Sequence, residues 1–281
     1  MSIQIIIDSC CDVTPALRRA LRFEVASLTV RVGQQSFRDD ETLAVPALLQ
    51  AMKACKDPAT SACPSPEEYA SLMRKADQSV VVTLSSKLSG SYNAAMVARD
   101  MVLEEFPEKR IHVFDSKSAS AGELRVALLL RQYIDGGMQF DEIVEKVDHF
   151  IAGMKTFFVL EDLSNLVKNG RISKAAGLMG TMLSIRPIMG ENGQGEIIQL
   201  DKVRGTQVAM RRLVEIVAAH ANQFPKNTLT LVLSYCNCPQ RAAELKEKLL
   251  AASSALREVI LVPTCGISTI YANDGGIVLA V

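Results

Sequence analysis

Residues 78–98 read QSVVVTLSSKLSGSYNAAMVA, and this stretch decides the fold class of the chain. The run from Gln78 to Leu84 is apolar and rich in β-branched valine, which is typical of a buried strand. A loop of serine and glycine follows, and after Gly90 apolar residues recur at helical spacing. They are Ala94, Ala95, Val97, Ala98, Met101 and Val102. The stretch therefore predicts a strand, a polar loop and a helix in direct succession.

The same succession recurs on both sides of this unit, up to about residue 150. Ile3 to Ile7 and Arg110 to Phe114 predict strands that each run into an Asp-Ser pair. The other elements predicted in this part are a strand over residues 26–32 and helices over 15–21, 46–53, 122–135 and from 66 onward, the last capped by Ser65. This rhythm predicts an α/β domain built on a mainly parallel sheet.

Four loops at or near the predicted strand ends carry serine, threonine or aspartate: residues 8–9, 61–65, 85–91 and 115–118. In open α/β sheets, loops at the carboxyl ends of strands meet at the ligand crevice. SSKLSGSYNAA also offers hydroxyls and N–H groups at a helix N-terminus, which suit a carboxylate or a phosphate. The alternative for this loop is ordinary N-capping of the helix.

The second half of the chain follows a different pattern. Ile188-Met189 and Ile197-Ile198 flank the turn-rich sequence ENGQG, which predicts a β-hairpin. Strands and helices alternate around it, and a glycine-rich loop precedes a final strand. We therefore predict two domains, an α/β domain over residues 1–152 and an α+β domain over residues 153–281.

The composition excludes several classes of function. Lysine plus arginine equals aspartate plus glutamate, at 31 each, so no net charge attracts nucleic acid or an anionic membrane. The sequence shows no signal peptide and no apolar run near the ~20 residues that span a bilayer, so we expect a cytoplasmic protein. The seven cysteines lack both disulfide-framework and zinc spacing, so we expect free thiols without a metal or other cofactor.

Signatures of catalysis are missing from the sequence. It contains neither a G-x-S-x-G nucleophile motif nor a glycine-rich nucleotide motif, and none of its three histidines lies in a recognisable triad context. We therefore favour a binding protein over an enzyme. The alternative is a small hydrolase or phosphoryl-transfer enzyme that uses Ser86 or Asp115 in the crevice.

KNGRIS, residues 168–173, is the sharpest local motif. Asn169-Gly170 predicts the left-handed end of one helix, and Ser173 can cap the next. Arg171 is thereby predicted to sit on a rigid corner, from which a planar guanidinium can hold a carboxylate through two parallel bonds. The alternative for Arg171 is a surface salt bridge.

Several segments together resemble the DegV family, in the family's order and over nearly the whole chain. They are IIIDSCCD, SACPSPEEY, SSKLSGSYNAA, VFDSKSAS, LVKNGRISKAAGLMG, and IRPIM followed by LDKVRG. The resemblance implies a protein that binds one long-chain fatty acid, with the carboxylate between the domains and the tail in the second domain. It also implies a partner, a dihydroxyacetone-kinase-like fatty acid kinase, to which the protein presents the acyl group. The N-terminal half then resembles the fold of dihydroxyacetone kinase and of a mannose-type phosphotransferase component.

The resemblance also implies site residues. Ser61, Ser85, Ser86 and Arg171 stand at positions that match the family's carboxylate-binding motifs. Two departures concern Ala62, where the family pattern usually has another serine, and Tyr271, which stands in place of a histidine. A phenol can still donate a hydrogen bond, so we include Tyr271 in the expected ligand-binding set.

A helix is predicted after Ser173, and one of its faces is our candidate wall for the acyl tail. This face carries Leu178, Met179, Met182 and Leu183. The alternative for the same pattern is an ordinary amphipathic core helix. A further alternative for the whole protein is a regulatory ligand sensor, which would share the binding site and differ in its partner.

Overall fold

The structure, a computed structural model, describes residues 3–173 and 184–281. The strands within these ranges are β1 (Ile3–Asp8), β2 (Phe23–Ala26), β3 (Thr29–Val32), β4 (Gln35–Arg38), β5 (Thr60–Ala62), β6 (Gln78–Thr83), β7 (Arg110–Asp115), β8 (Thr156–Val159), β9 (Ile185–Glu191), β10 (Ile197–Arg204), β11 (Leu229–Tyr235), β12 (Leu256–Pro263) and β13 (Ile277–Ala280). The helices in the same ranges are α1 (Pro15–Leu21), α2 (Val45–Ala54), α3 (Pro66–Met73), α4 (Ser91–Glu105), α5 (Ala121–Asp135), α6 (Phe140–Gly153), α7 (Ser164–Lys168), α8 (Thr206–Ala221), α9 (Pro239–Ala252) and α10 (Gly266–Ala272). Among the residues so described, no helix has the length and apolar character needed to cross a membrane.

The first sheet is parallel throughout, as the sequence predicts, with strand order β2-β1-β6-β7. In β1, Ile5 and Ile7 pack into the core that α5 and α6 cover, whereas Ile6 packs into the core under α3 and α4. Because helices cover both faces, successive residues of the strand are apolar instead of alternating with polar ones. The predicted α/β character of this part of the chain is confirmed.

The second sheet has the strand order β10-β9-β8-β13-β11-β12. Only β11 and β12 run parallel among its described pairs, and β9 and β10 form the predicted hairpin. α8 and α9 pack on one face of this sheet, and α5 packs on the other, where Val232 and Ala280 join the core of the first sheet. α5 therefore lies between the two sheets. The boundary between residues 152 and 153 stays a prediction.

One predicted strand is wrong. β2 and β3 replace the single strand predicted over residues 26–32, and β3 belongs to a separate sheet of order β4-β3-β5. Between them, the N–H of Ser27 donates to the Glu68 carboxylate at 2.8 Å, and the N–H of Leu28 donates to the Ser9 hydroxyl at 2.9 Å. Side-chain oxygens thus accept from the two backbone N–H groups that a continuous strand would use to pair with its neighbour. The chain therefore leaves the first sheet here.

α10 replaces part of the glycine-rich loop that was predicted before the final strand. Its first N–H groups, of Gly266 and Ile267, donate to the Asp39 carboxylate at 2.7 and 2.9 Å. This capping acid is 227 residues away from Gly266 in the sequence, so no local capping pattern marks the start of the helix. The helix predicted after Ser173 falls on residues 174–183, which lie outside the described residues.

Candidate functional site

A cavity of about 100 Å³ lies where the loops of the first sheet meet the second sheet. Its wall includes residues from the loops that follow β1, β6 and β7, which confirms that these loops converge. Ser61 of β5 joins them from the small third sheet, and β8, β9, β10, β13 and α10 supply residues from the second half of the chain. The cavity therefore lies between the two parts of the chain that the sequence distinguishes.

Ser61 and Tyr271 meet in the wall of this cavity, although 210 residues separate them. The Ser61 hydroxyl and the Tyr271 phenol oxygen are 3.2 Å apart, so one of them donates a hydrogen bond to the other. β5 is held by pairing with β3, where Ser61 lies opposite Val30, and Tyr271 lies in the last turn of α10. Because each group can both donate and accept, the pair can turn an O–H toward an anion.

Arg171 stands on the turn that the sequence predicts at the end of α7. Gly170 has a φ of +74°, its N–H donates to the Val167 carbonyl at 3.0 Å, and the N–H of Arg171 donates to the Leu166 carbonyl at 2.8 Å. These two bonds form a Schellman motif, which requires a left-handed residue at the position that Gly170 occupies. The backbone of Arg171 is thus fixed by the end of a helix.

The guanidinium of Arg171 is also held in place. Its Nε donates to the Leu88 carbonyl at 3.1 Å, and its Cζ lies 5.9 Å from the centroid of the Tyr271 ring. Both Arg171 and Tyr271 line the cavity with Ser61. The structure therefore brings together three of the predicted ligand-binding residues.

Ser85 and Ser86, also predicted for the site, are absent from the described lining of the cavity. Ser85 is fully buried, and its hydroxyl donates to the Gly195 carbonyl in the turn between β9 and β10 at 2.8 Å. Oδ1 of Asp115 accepts from the N–H of Ser86 at 3.1 Å and from the N–H of Lys117 at 3.0 Å. Ser85 thus ties the hairpin to the loop after β6, and Asp115 joins two loops of the first sheet.

The sequence reasoning did not name the other polar groups in the wall as individual site residues. The hydroxyls of Ser118 and Thr156 are buried and 2.6 Å apart. Glu191 forms an ion pair with Lys155 at 3.0 Å, and Lys117 also lines the cavity. The DSKS loop already carried a signal for Lys117 and Ser118. Thr156 carried no signal because it begins a strand in an apolar segment, and Glu191 carried none because it lies in ENGQG, which predicted only the turn of a hairpin.

Most of the remaining wall is apolar. It includes Leu28, Leu84, Leu88, Phe158, Leu160, Leu166, Ile197, Ile267 and Val278. The predicted tail-lining residues lie outside the described residues; they are Leu178, Met179, Met182 and Leu183. The cavity is smaller than the ~150 Å³ engineered cavity that holds one benzene molecule.

Comparison with known protein families decides where this chain belongs. The profile of the DegV family, described as an uncharacterised protein family, matches residues 2–280. The chain belongs to the DegV family. A DegV domain-containing protein of Streptococcus gordonii is 36% identical over 288 residues, which cover 99% of this chain and 98% of the relative.

Solved DegV structures share the fold over their full length. A DegV family protein from Ruminococcus gnavus, described with vaccenic acid, has a TM-score of 0.94 and 40% identity and covers 100% of both chains. The Streptococcus pneumoniae Fatty Acid Kinase B3 protein, loaded with linoleic acid, has a TM-score of 0.88 and 31% identity. It covers 100% of this chain and 99% of the neighbour. These structures confirm the predicted fold class.

Four acidic side chains are buried in the described part of this DegV protein: Asp8, Asp12, Asp39 and Glu123. Burial raises the pKa of Asp12 and the pKa of Asp39 to about 6, because a buried carboxylate loses its hydration. Burial also raises the pKa of Asp8, and it raises the pKa of Glu123 well above its usual range. Asp12 accepts from the N–H of Cys265 at 2.7 Å, so Asp12 and Asp39 together hold the start of α10.

Asp8, Cys10 and Glu123 place potential metal-ligand atoms within 4.8 Å of one another, the one such group that residues 3–173 and 184–281 contain. The oxygens of Asp8 already accept from the N–H groups of Cys10 and Leu84, both at 3.0 Å, and from the Ser91 hydroxyl at 2.6 Å. Burial raises the pKa of the Glu123 carboxyl well above its usual range, and neither of its oxygens has a hydrogen-bond partner in the described structure. The bonds to Asp8 satisfy that carboxylate without a metal ion.

Titration of the Asp39 carboxyl is expected to lower the free energy of unfolding as the pH rises. Its pKa is about 6 in the folded protein and ~3.9 in the unfolded chain, so the folded state binds more protons between these values. The stabilisation is complete below the unfolded pKa and is lost as the pH rises through the folded pKa. Between about pH 5 and pH 7, the free energy of unfolding of Asp39→Asn should fall by about 1 kcal/mol less than that of the unmodified protein. Urea denaturation at each pH measures both values.

Asp40→Asn is the matched control for this measurement. The pKa of Asp40 is lowered by its hydrogen bond with Thr42, so Asp40 stays ionised over the same pH range and contributes no slope there. A decline in Asp39→Asn as steep as that of the unmodified protein would show that Asp39 does not titrate near pH 6.

Proposed function

We propose that this DegV protein binds one long-chain fatty acid, with its carboxylate at Ser61, Arg171 and Tyr271 and its chain along the apolar wall. One observation carries the proposal: a guanidinium, a hydroxyl and a phenol meet in the wall of a cavity that is otherwise largely apolar. Such a wall suits a ligand with one anionic end and a long hydrocarbon end. DegV neighbours described with vaccenic acid and linoleic acid support the same class of ligand.

The polar groups select the head of the ligand. Bonds to the carbonyls of Leu88 and Asn169 orient the Arg171 guanidinium, and its permanent charge favours an anion over a neutral head. Ser61 and Tyr271 can each donate a hydrogen bond to a carboxylate oxygen. Hydrogen bonds to a charged partner are roughly twice as strong as those between neutral groups. The site therefore favours a carboxylate over an alcohol or an ester of the same chain.

The hydrocarbon chain supplies most of the binding free energy in this proposal. Each methylene that leaves water contributes about 0.8 kcal/mol, from which the ordering of the chain and of the wall subtracts a part. The described cavity, of about 100 Å³, accommodates only part of such a chain.

We further propose that the protein carries the acyl group for a dihydroxyacetone-kinase-like fatty acid kinase. Support comes from the 31% identity over the full length to the Streptococcus pneumoniae Fatty Acid Kinase B3 protein. Tyr271 stands where the family resemblance implies a histidine, and a phenol does not exchange a proton near neutral pH as an imidazole does. Binding thus tolerates Tyr271 more readily than transfer does. Ser85 and Ser86 enter the proposal as supports of the site, Ser85 through its bond to the hairpin.

Native mass spectrometry of gently purified protein tests the proposal. We expect one long-chain fatty acid per chain, and we expect the delipidated protein to take up added palmitate or oleate in a one-to-one complex. Oleyl alcohol, which lacks the anionic head, is the matched control and should bind much more weakly. A protein that is consistently empty and binds neither added fatty acid would contradict the proposal.

A further inference from the structure

The short helix α7 and its C-cap residue Asn169 form hydrogen bonds with backbone or side-chain groups of, or next to, all three proposed carboxylate-binding residues. Asn165, which is 7% exposed, donates from its side-chain Nδ2 to the main-chain carbonyl of Ile270 at 2.6 Å. Ile270 immediately precedes Tyr271 in α10. A buried amide of α7 is therefore bonded to the backbone beside the phenol of the site.

The carbonyl of Ile270 needs this bond because α10 ends nearby. The N–H of Asn273 donates to the Thr269 carbonyl at 2.9 Å, which is the last regular bond of the helix. Asn273 has a φ of +55°, so the chain turns away before Asp274 can donate to Ile270. The last carbonyls of a helix lack intrahelical donors and take other partners. The amide of Asn165 is the partner here, and it fixes the final turn of α10.

A second asparagine of the same turn reaches the strand that carries Ser61. Nδ2 of Asn169 donates to the Ala59 carbonyl at 2.8 Å, one residue before β5 begins. The main-chain carbonyl of Asn169 in turn accepts from Nη1 of Arg171 at 2.5 Å. The two asparagines are one helical turn apart, so a single rigid turn contacts β5, α10 and Arg171.

We propose that Asn165 and Asn169 are positioning residues that set the spacing of Ser61, Tyr271 and Arg171 for a carboxylate. Each acts through the backbone beside a ligand-binding residue and need not touch the ligand. The inference rests on the proposed function, because it assigns the three groups to one carboxylate. It adds that the geometry of the head-group site is built from α7.

Fluorine NMR of protein labelled with 3-fluorotyrosine tests the position of Tyr271 without any ligand. The chain has five tyrosines, and Tyr271→Phe identifies the resonance of Tyr271 by its loss. We expect Asn165→Ala to shift that resonance and to weaken oleate binding about tenfold, because the amide is lost from a buried carbonyl. Asn222→Ala is the control, because the Ser253 hydroxyl donates to Oδ1 of the Asn222 side chain at 2.7 Å, and neither residue lines the cavity.

A second variant supplies a rescue that a purely structural role would not show. Asn165→Asp keeps the shape of the amide, and its carboxyl can donate to Ile270 only when it is protonated. We expect its oleate affinity, relative to the unmodified protein, to recover as the pH falls from about 8 to about 5. The same ratio for Asn165→Ala should stay constant. If Asn165→Ala does not fold, the pH-dependent ratio for Asn165→Asp carries the test.

The outcomes separate the two proposals. Failure of the unmodified protein to bind any fatty acid would overturn the proposed function, while the Tyr271 resonance would still test the positioning. Unchanged oleate affinity and an unmoved Tyr271 resonance in Asn165→Ala would overturn the positioning role and leave the proposed function standing.

Discussion

Replacing Arg171 with alanine is expected to weaken oleate binding by about 100-fold, which corresponds to ~2.7 kcal/mol. The ligand carboxylate would lose its cationic partner inside a largely apolar cavity. Removing one partner of a buried, hydrogen-bonded charge pair costs roughly 2–5 kcal/mol, because the remaining charge is left unpaired. Isothermal titration calorimetry on delipidated protein measures the loss.

Two comparisons make the Arg171 result specific. Arg241→Ala removes an arginine that pairs with Glu161 at 2.8 Å and does not line the cavity, so its oleate affinity should be unchanged. Oleyl alcohol should lose little affinity in Arg171→Ala, since it has no charge to pair. Equal losses for the acid and the alcohol would mean that Arg171 supports the wall of the cavity and does not bind the carboxylate.

Replacing Gly195 with alanine is expected to lower the free energy of unfolding by about 3 kcal/mol. Gly195 has a φ of +83°, and a Cβ there would collide with the Ser85 hydroxyl oxygen and lie 3.0 Å from Cα of Lys117. The hairpin between β9 and β10 would have to move off the loop after β6, which breaks the bond from Ser85 to the Gly195 carbonyl. Urea denaturation measures the loss, and bound oleate should dissociate faster because the hairpin lines the cavity.

Gly193→Ala is the matched control for the hairpin. Gly193 has nearly the same φ, +81°, but a Cβ there would meet nothing within 4 Å. Its loss should be limited to the left-handed backbone cost of ~1–2 kcal/mol. The difference between the two variants therefore isolates the contact with Ser85. Similar losses of stability, with unchanged oleate dissociation in both variants, would show that the contact between Ser85 and Gly195 does not hold the hairpin against the loop after β6.

Local physics in the sequence predicted β1, β6 and β7 of the first sheet and most of its helices, but neither β2 nor α6. The apolar run of β1 fits a strand that is covered on both faces, and Ser65 caps α3 by accepting from the N–H of Glu68 at 3.2 Å. The break at Ser27 could not be predicted in this way. It depends on Glu68, whose carboxylate accepts from a residue 41 positions away. Side-chain bonds of that separation form only after the chain has folded.

The same distinction between local signals and long-range contacts applies to the residues of the candidate site. Arg171 follows from Gly170, because a left-handed glycine at a helix end is a local signal. The contact between Ser61 and Tyr271 joins residues 210 positions apart. Ser61 lies in one of the four polar loops that the sequence marked, whereas only the family resemblance pointed to Tyr271 beforehand. The family resemblance is a weaker guide for Ser85. Its hydroxyl forms a hydrogen bond with the hairpin, and Ser85 is absent from the described lining of the cavity. Asn165 carried no sequence signal at all, because its partner is a main-chain carbonyl.

The carboxylate position is the central claim, and NMR of oleate labelled with ¹³C at its carboxyl carbon tests it most directly. We predict a bound resonance that is distinct from free oleate and that shifts in Ser61→Ala, Tyr271→Phe and Arg171→Lys. Oleate labelled at its methyl end is the internal control, and its bound resonance should stay in place in all three variants. A bound carboxyl resonance that is identical in the unmodified protein and in all three variants would place the carboxylate elsewhere and contradict the account.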